Sequence, residues 1–476
     1  MRNRIMTAVI LATALSLVAS AQIGSPYIHD PSTIVECDGK YYTFGTGSGG
    51  LISEDGWNWH GGGVRPGGGV APDAMKIGDR YLVVYSTSSA PGVRYSSHVY
   101  GMWNKTLDPN SPDFAYSDPI DMGGSNGFVD CDGIDPGLMM GPDGRLWLVY
   151  GTYFGFLRVV QLDPATALPI NDPVDLALSC EAAEMIYHDG WYYLLATHGT
   201  CCSGVNSTYE IIVGRSKYPQ GPYYDNLGRD MIHGGGRLLL ASEPRRIGAG
   251  HFGRFIVGEG IEKFSFHFEG DLDRSGRSVL AIRPLLWKDG WPVAGRLVEE
   301  GEYSIVSERR GYSLELSVND VPMNTGARSM SWNAEGPVVA LEDQKLSDVI
   351  GTWPKGNIEL RIGPELFRPH QAWVITEVPE AGGFLGGAYC KITIAGTGRT
   401  LAATADKEVT TVPEFTGAPE QLWRIDQLID GTYRIMPKAV PGTDEELVLV
   451  SVADSTPSLG VFDPNSDNSK WNLNKH

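Results

Sequence analysis

Four stretches of this chain repeat one phrase: an acidic residue, a short apolar run, a tight turn containing glycine, then aromatics. Asp30 leads to Asp38-Gly39-Lys40-Tyr41-Tyr42, and Asp135 leads to Asp143-Gly144-Arg145-Leu146-Trp147. Glu181 leads to Asp189-Gly190-Trp191-Tyr192-Tyr193, and Asp73 opens a looser copy ending in Gly78-Asp79-Arg80-Tyr81-Leu82. Asp-Gly between apolar runs is a hairpin signal, and the aromatic and β-branched runs that follow read as buried strands. A fifth unit starts near Gly250-His251 and runs through Phe264-Ser265-Phe266-His267-Phe268 to Trp287. Five units of about 55 residues are each long enough for a four-stranded blade. The expected fold is therefore all-β, with a five-bladed β-propeller over residues 22–297. In such a ring the blade starts line a central channel, so the acids converge there.

A second repeat follows Gly295. Gly301-Glu302-Tyr303, Gly387-Ala388-Tyr389 and Gly431-Thr432-Tyr433 share an opening, while Gln371-Ala372-Trp373, Gln421-Leu422-Trp423 and Ser469-Lys470-Trp471 share an ending. Threefold repetition with Q-x-W endings resembles the ricin-B type of β-trefoil over residues 298–476, with an insertion expected within 316–365. No Asp-plus-aromatic sugar pocket recurs in all three units. At most one or two pockets are therefore expected to bind sugar, and the domain is expected to serve mainly by packing against the propeller.

The first 21 residues read as an export signal. Arg2 and Arg4 precede an apolar run from Met6 to Val18, and Ala19-Ser20-Ala21 fits a cleavage site before Gln22. The run is short for a membrane span. A secreted or periplasmic protein follows, with no membrane partner once the signal is removed, and the chain is expected to be a monomer. The formal net charge of -19 argues against nucleic acid, which needs Lys and Arg to neutralise phosphates. The six cysteines allow disulfides in an exported protein, but their spacing does not define the pairing. Cys201-Cys202 is unusual in being vicinal.

The phrases His29-Asp30-Pro31-Ser32, Ala71-Pro72-Asp73, Ile134-Asp135-Pro136-Gly137 and Glu181, nine residues before Gly190, resemble family 43 of the glycoside hydrolases over roughly residues 25–297. Cys201 to Tyr209, then Val213-Gly214-Arg215-Ser216 and Gly221-Pro222-Tyr223, are similar to the fourth blade of the arabinanases of that family. The resemblance implies an inverting hydrolase acting on arabinan, with endo-arabinanase favoured. It assigns Asp30 as general base, Glu181 as general acid and Asp135 as the group that orients Glu181 and tunes its proton affinity. It also implies substrate contacts at Asp73, Phe154, Ser207 and Arg215, and a channel site at His251 for Ca²⁺ or Na⁺ bound mostly through water. Two positions depart from the family: Val70 and the Tyr153-Phe154 pair stand where tryptophan is common, which leaves the sugar cleft open to variation. Glu184 is the rival to Glu181 for the acid. The alternatives on the same scaffold are an arabinofuranosidase or exo-arabinanase and a β-xylosidase; a sugar-binding lectin is the alternative of another class. Physics supports the division of roles, because three carboxylates in one pocket cannot all ionise cheaply and one retains a proton near neutral pH.

Overall fold

A computed structural model describes residues 22–476 except 48, 68, 89–95, 125–132, 152–154, 319–320, 323–357 and 453–455. The proposed signal, Phe154, Cys131 and most of the expected 316–365 insertion lie outside the described residues. Among the described residues, no helix is long and apolar enough to cross a membrane.

Five antiparallel sheets follow one another in chain order, each with its strands laid side by side as they occur in the sequence. Their first strands are Val35–Cys37, Val70–Ile77, Gly137–Met140, Glu181–His188 and Ile247–Gly258. The Asp-Gly turns work as the sequence suggests. Asp38, Gly39, Asp189, Gly190, Asp289 and Gly290 all have positive φ, as the two-residue turns that suit twisted hairpins require. The second strands, such as Arg80–Ser86, Leu146–Tyr150 and Trp191–His198, are buried almost throughout, because each is covered on both faces by neighbouring blades. The ring closes through the N-terminal segment. Ile23–Gly24 pairs with Asn58–Gly63 of the first blade, while Tyr27 bridges Val279 of the fifth. The added strand covers the outer edge strand of the first blade.

The C-terminal part is a closed barrel of six strands. Gly301–Ser307 pairs with Trp471–Lys475, and the ring continues through Tyr433–Pro437, Trp423–Gln427, Cys390–Ile394 and Ala372–Glu377 back to Gly301–Ser307. Hairpins Tyr312–Val318 with Ile358–Pro364, Thr400–Ala403 with Val409–Val412, and Val448–Val452 with Thr456–Gly460 complete a trefoil-like arrangement. The threefold repeat reaches individual atoms. Trp373, Trp423 and Trp471 are fully buried, and their indole N–H groups donate to the carbonyls of Leu314, Leu401 and Leu449 at 2.9, 3.0 and 2.8 Å. Gln371 and Gln421 accept the amides of Leu366 and Thr416, and Ser469 takes the same place with a longer bond from the Asp463 amide. The long first unit pairs Tyr312–Val318 directly with Ile358–Pro364, so the extra residues lie between the arms of the first hairpin.

The barrel packs against the propeller through a buried charge cluster. Lys263, on the propeller strand Ile261–Gly270, lies 3.4 Å from Asp426 of the barrel and donates to the carbonyl of Leu385 at 2.8 Å.

Candidate active site

Each blade holds a residue in the left-handed region at one equivalent place, inside its first strand in three blades and just ahead of that strand in the other two: Asp30 (φ 51°), Ala71 (42°), Asp135 (51°), Ala182 (49°) and His251 (61°). In three blades this produces a bulge in the ladder, between Val70 and Asp73, Glu181 and Glu184, and Gly250 and Gly253. A bulge turns amides out of the ladder, so other acceptors must take them. Side chains do so: the amide of Asp30 donates to His267 Nδ1 (3.2 Å), Ala71 to Thr46 Oγ1 (2.9 Å), Ala182 to Asp135 Oδ2 (3.1 Å) and His251 to Thr197 Oγ1 (3.0 Å). Non-glycine residues in this conformation cost of order 1–3 kcal/mol each and cluster at functional sites.

Asp30 and Asp135 share this layer with His251. Glu181 lies one residue before it, and Asp73 and Glu184 lie two residues beyond it. Asp30 is ringed by imidazoles: Oδ1 lies 3.4 Å from His251 Nδ1, 3.5 Å from His29 Nε2 and 3.9 Å from His267 Nδ1. The Thr46 hydroxyl donates to its Oδ2. Burial pushes the Asp30 carboxyl up, but the hydrogen bond and charge of His251, with the charge of His29, outweigh burial and hold it well below the usual carboxylate range. Burial pushes His251 down, and the Asp30 hydrogen bond and charge overcome that and raise it. His267 is pushed down to about 3, chiefly by burial. Its Nδ1, accepting the Asp30 amide, carries no proton.

Asp135 has the opposite environment. Burial first, then the charges of Glu181 and Asp30, push its carboxyl well above the ordinary range, against the charge of His251 and the hydrogen bond from the Ala182 amide. The hydroxyl of Tyr209 donates to Glu181 Oε1. Tyr209 is held far above the normal phenol range by burial and by Glu181, so it remains a donor. Asp30, Asp135, Glu181, Tyr209 and His251 thus share one electrostatic environment containing an anion and a retained proton. Such a site can donate a proton to one face of a substrate and accept one from the other.

Glu184 is separated from this mouth by the bulge. It is buried beside Gly137, where a Cβ would lie 2.4 Å from the Ala183 carbonyl oxygen, so glycine is required there. It lines a cavity of about 600 Å³ at the other end of the channel with Thr33, Met75, Leu138 and Arg254. Three of the expected substrate contacts engage partners within the protein. Asp73 is buried and accepts the amides of Thr33 (3.0 Å) and Leu138 (2.9 Å), tying the first and third blades together. Ser207 is buried and accepts the amide of Ser203 at 3.1 Å within its own loop. Arg215 lies between the rings of Trp191 and Trp291, at 4.4 and 4.5 Å, and donates to the carbonyl of Gly290, joining the fourth and fifth blades. No group of three potential ligand atoms among the described residues includes His251. Sequence reasoning gave no roles to His29, Thr46, Tyr209 or His267. His29 and Tyr209 stood inside phrases already singled out. His267 stood in the alternating aromatic run that marks the fifth unit.

The model of the family described as "Glycosyl hydrolases family 43" matches residues 29–292. The chain is 30% identical over 292 residues, 56% of its length and 87% of the relative's, to an extracellular endo-α-(1→5)-L-arabinanase of Bacillus subtilis. It is 30% identical over 338 residues, 63% of its length and 95% of the relative's, to an extracellular exo-α-(1→5)-L-arabinofuranosidase of Cellvibrio japonicus. Among solved structures, an exo-1,5-α-L-arabinanase from a bovine ruminal metagenomic library matches with a TM-score of 0.53 and 32% identity, covering 58% of this chain and 98% of that one.

Proposed function

Because this chain belongs to family 43 of the glycosyl hydrolases, we propose that it is an exported enzyme that hydrolyses α-1,5-linked L-arabinofuranosyl chains of arabinan with inversion, endo cleavage being favoured. The observation that carries the hydrolase part of this reading is the unequal treatment of two carboxyls in one layer: Asp30 is held anionic by imidazoles, while Asp135 is driven to keep a proton by burial and then by Glu181 and Asp30. Acid–base cleavage of a glycosidic bond needs that asymmetry whether the enzyme inverts or retains; inversion is the part of the reading that the family resemblance implies. Asp30 takes a proton from the attacking water, which adds to the anomeric carbon. Glu181 gives its proton to the departing glycosidic oxygen, so bond making and bond breaking proceed on opposite faces of the ring. The retained proton belongs to the Asp135–Glu181 pair rather than to one residue. Asp135 also fixes the backbone that carries Glu181, through the Ala182 amide. Tyr209 stabilises the carboxylate that forms once Glu181 has given up its proton.

Two relatives whose names specify exo action favour a second reading, release of arabinose from chain ends on the same machinery. Products from linear arabinan separate the two: a ladder of oligomers for endo action, arabinose alone for exo. Glu181→Gln and Asp30→Asn should each lower the rate on arabinan by about 10²–10⁴-fold. An activated aryl arabinofuranoside needs less help in leaving, so Glu181→Gln should retain relatively more activity on it than Asp30→Asn. Equal losses on both substrates in both variants would reject these roles, and a wild type inactive on arabinan would reject the substrate.

A hard cation at His251 belongs to the same proposal. The ring already engages Asp30 through Nδ1, leaving its other nitrogen for a metal. That donor set fits Ca²⁺ or Na⁺ keeping most of its own waters and does not fit a zinc site. Such an ion supplies fixed positive charge at the channel. Chelation or His251→Ala should lower activity, and the variant should no longer respond to added Ca²⁺. A wild type indifferent to chelator and to Na⁺, alongside a fully active His251→Ala, would remove the ion.

A further inference from the structure

The loop between Trp191–His198 and Glu210–Ser216 carries a feature that the acid–base chemistry leaves unused. Cys201 and Cys202 are joined to each other by a disulfide, whereas Cys37, Cys180 and Cys390 are free and buried. A disulfide stabilises a fold by removing the freedom of the chain it encloses, and the effect grows with the length of that loop. Between adjacent residues almost no chain is enclosed, so this bond does little for folding. What it does create is a small, stiff ring, in which two sulfurs and two methylenes are closed through the Cys201–Cys202 peptide, with no rotamers left to lose.

Its placement is specific. Cys202 Sγ lies 3.5 Å from His29 Nε2, and that same nitrogen lies 3.5 Å from Asp30 Oδ1. Cys202 is exposed and Cys201 half-buried. The loop that holds them is clamped. The Thr200 amide donates to Thr208 Oγ1 and the Thr208 amide to the Thr200 carbonyl, both at 2.9 Å. The Val205 amide donates to the Ser275 carbonyl of the fifth blade at 3.2 Å, and a Cβ on Gly204 would lie 2.0 Å from that same oxygen. The loop then runs into Tyr209, the donor to Glu181. One fixed segment therefore sets a sulfur face against His29, itself a neighbour of Asp30, and a phenol against Glu181.

We propose that the Cys201–Cys202 disulfide is a substrate-binding ledge, an uncharged apolar face on which the C–H side of one furanose ring packs next to Asp30. The proposal rests on the arabinofuranosyl reading above. A neutral sugar offers apolar C–H surface as well as hydroxyls, and polarizable sulfur packs well against such surface. A surface already rigid loses no side-chain freedom on binding. Reduction replaces the ledge with two rotating thiols.

The test is steady-state kinetics on linear α-1,5-arabino-oligosaccharides before and after treatment of the native enzyme with a phosphine reductant, with new thiols counted by alkylation and mass spectrometry. Loss of an apolar contact of this size should raise KM by about tenfold or more while kcat changes far less. Reoxidation should restore KM. Cys201→Ala/Cys202→Ala should behave as permanently reduced and ignore the reductant. Binding of the same oligosaccharides to Glu181→Gln, followed calorimetrically, should weaken by the same factor on reduction. If the double alanine variant does not fold, the reduction experiment decides alone. Two new thiols with KM unchanged, or a fall in kcat at constant KM, overturns the ledge while leaving the arabinan reading intact. A wild type that neither binds nor cleaves these oligosaccharides overturns both.

Discussion

Replacing Asp426 by Asn should cost more stability than the loss of one charge suggests, because it strands three cations. In the barrel strand Trp423–Gln427, Asp426 Oδ2 lies 2.7 Å from Arg424 Nε as an ion pair and accepts a hydrogen bond from Arg434 at 2.7 Å, while Oδ1 lies 3.4 Å from Lys263 of the propeller. Asp426 and Lys263 are both almost entirely withdrawn from solvent, with side-chain exposures of 2% and 3%. Burial pushes Asp426 up, but Arg424, Lys263 and Arg434 outweigh it and hold the carboxyl far below its usual range. Burial pushes Lys263 down to about 8 even with Asp426 beside it. Breaking a buried pair by removing one partner typically costs about 3–5 kcal/mol, since the other charge stays buried without compensation. That is a large part of the ~5–15 kcal/mol by which a domain is stable. Denaturant unfolding followed by tryptophan fluorescence should show this loss, and the Asp426→Asn/Lys263→Met double variant should recover part of it. The sign of the pH dependence follows from the depressed carboxyl: its stabilisation is present above the unfolded value near 4 and is lost as pH falls below it. The difference between variant and wild type should therefore narrow below about pH 4. A loss under about 1 kcal/mol would mean that the cluster behaves as solvated surface pairs do, and would refute the reasoning.

Tyr209→Phe removes the donor that stabilises ionised Glu181. A hydrogen bond to a charged group contributes about 1.5–3 kcal/mol, and with the proton half transferred kcat on arabinan should fall roughly 3- to 10-fold. An aryl substrate should lose less, and the alkaline limb of the rate profile should move to higher pH; equal losses on both substrates would refute this role. Asp30, whose carboxyl is depressed in the folded state, contributes stability above the unfolded value of about 3.9 that disappears as pH falls. Thermal unfolding between pH 5 and 3 should therefore fall less steeply for Asp30→Asn than for wild type, and parallel slopes would refute the imidazole pairing.

Much of this molecule is legible in the sequence where one local signal repeats. The Asp-Gly turns and the buried aromatic strands recur because every blade solves the same problem: a hairpin covered on both faces. The three Gln or Ser residues before Trp373, Trp423 and Trp471 recur because each barrel unit must satisfy a loop amide, and the tryptophans recur because each fills the same buried place with its indole on a backbone carbonyl. The site was legible only as far as the acids could be found. Asp73 and Glu181 look like equivalents of Asp30 and Asp135, yet the left-handed residue falls two positions before Asp73 and one after Glu181. An offset of one or two residues around a bulge decides whether a carboxylate faces the mouth, ties two strands together or lines the far end. No spacing rule within a single strand contains that information. The surroundings of Arg215 were hidden for a related reason: the two tryptophans that enclose it are 100 residues apart, and only the meeting of two blades brings them together.

The same offset explains how a symmetric ring produces an asymmetric site. One left-handed position per blade is filled by Asp30, Ala71, Asp135, Ala182 and His251, and the backbone there is nearly the same five times. What differs is the neighbour that each position meets across a blade boundary. Asp30 meets His267 and His251 from the fifth blade, so its carboxylate gains positive partners on the side where the ring closes. Asp135 meets the strand that begins with Glu181, so its carboxylate gains a second acid and one amide. The two aspartates therefore part in proton affinity because of who stands in the next blade, while their own backbone conformations are alike. Ala71 carries no charge, and its amide is taken by Thr46, which also donates to Asp30. The strain of this layer is thus matched by cross-blade hydrogen bonds that also aim the acids. Substituting Thr46 or Thr197 should loosen the geometry of Asp30 and His251 without touching either residue.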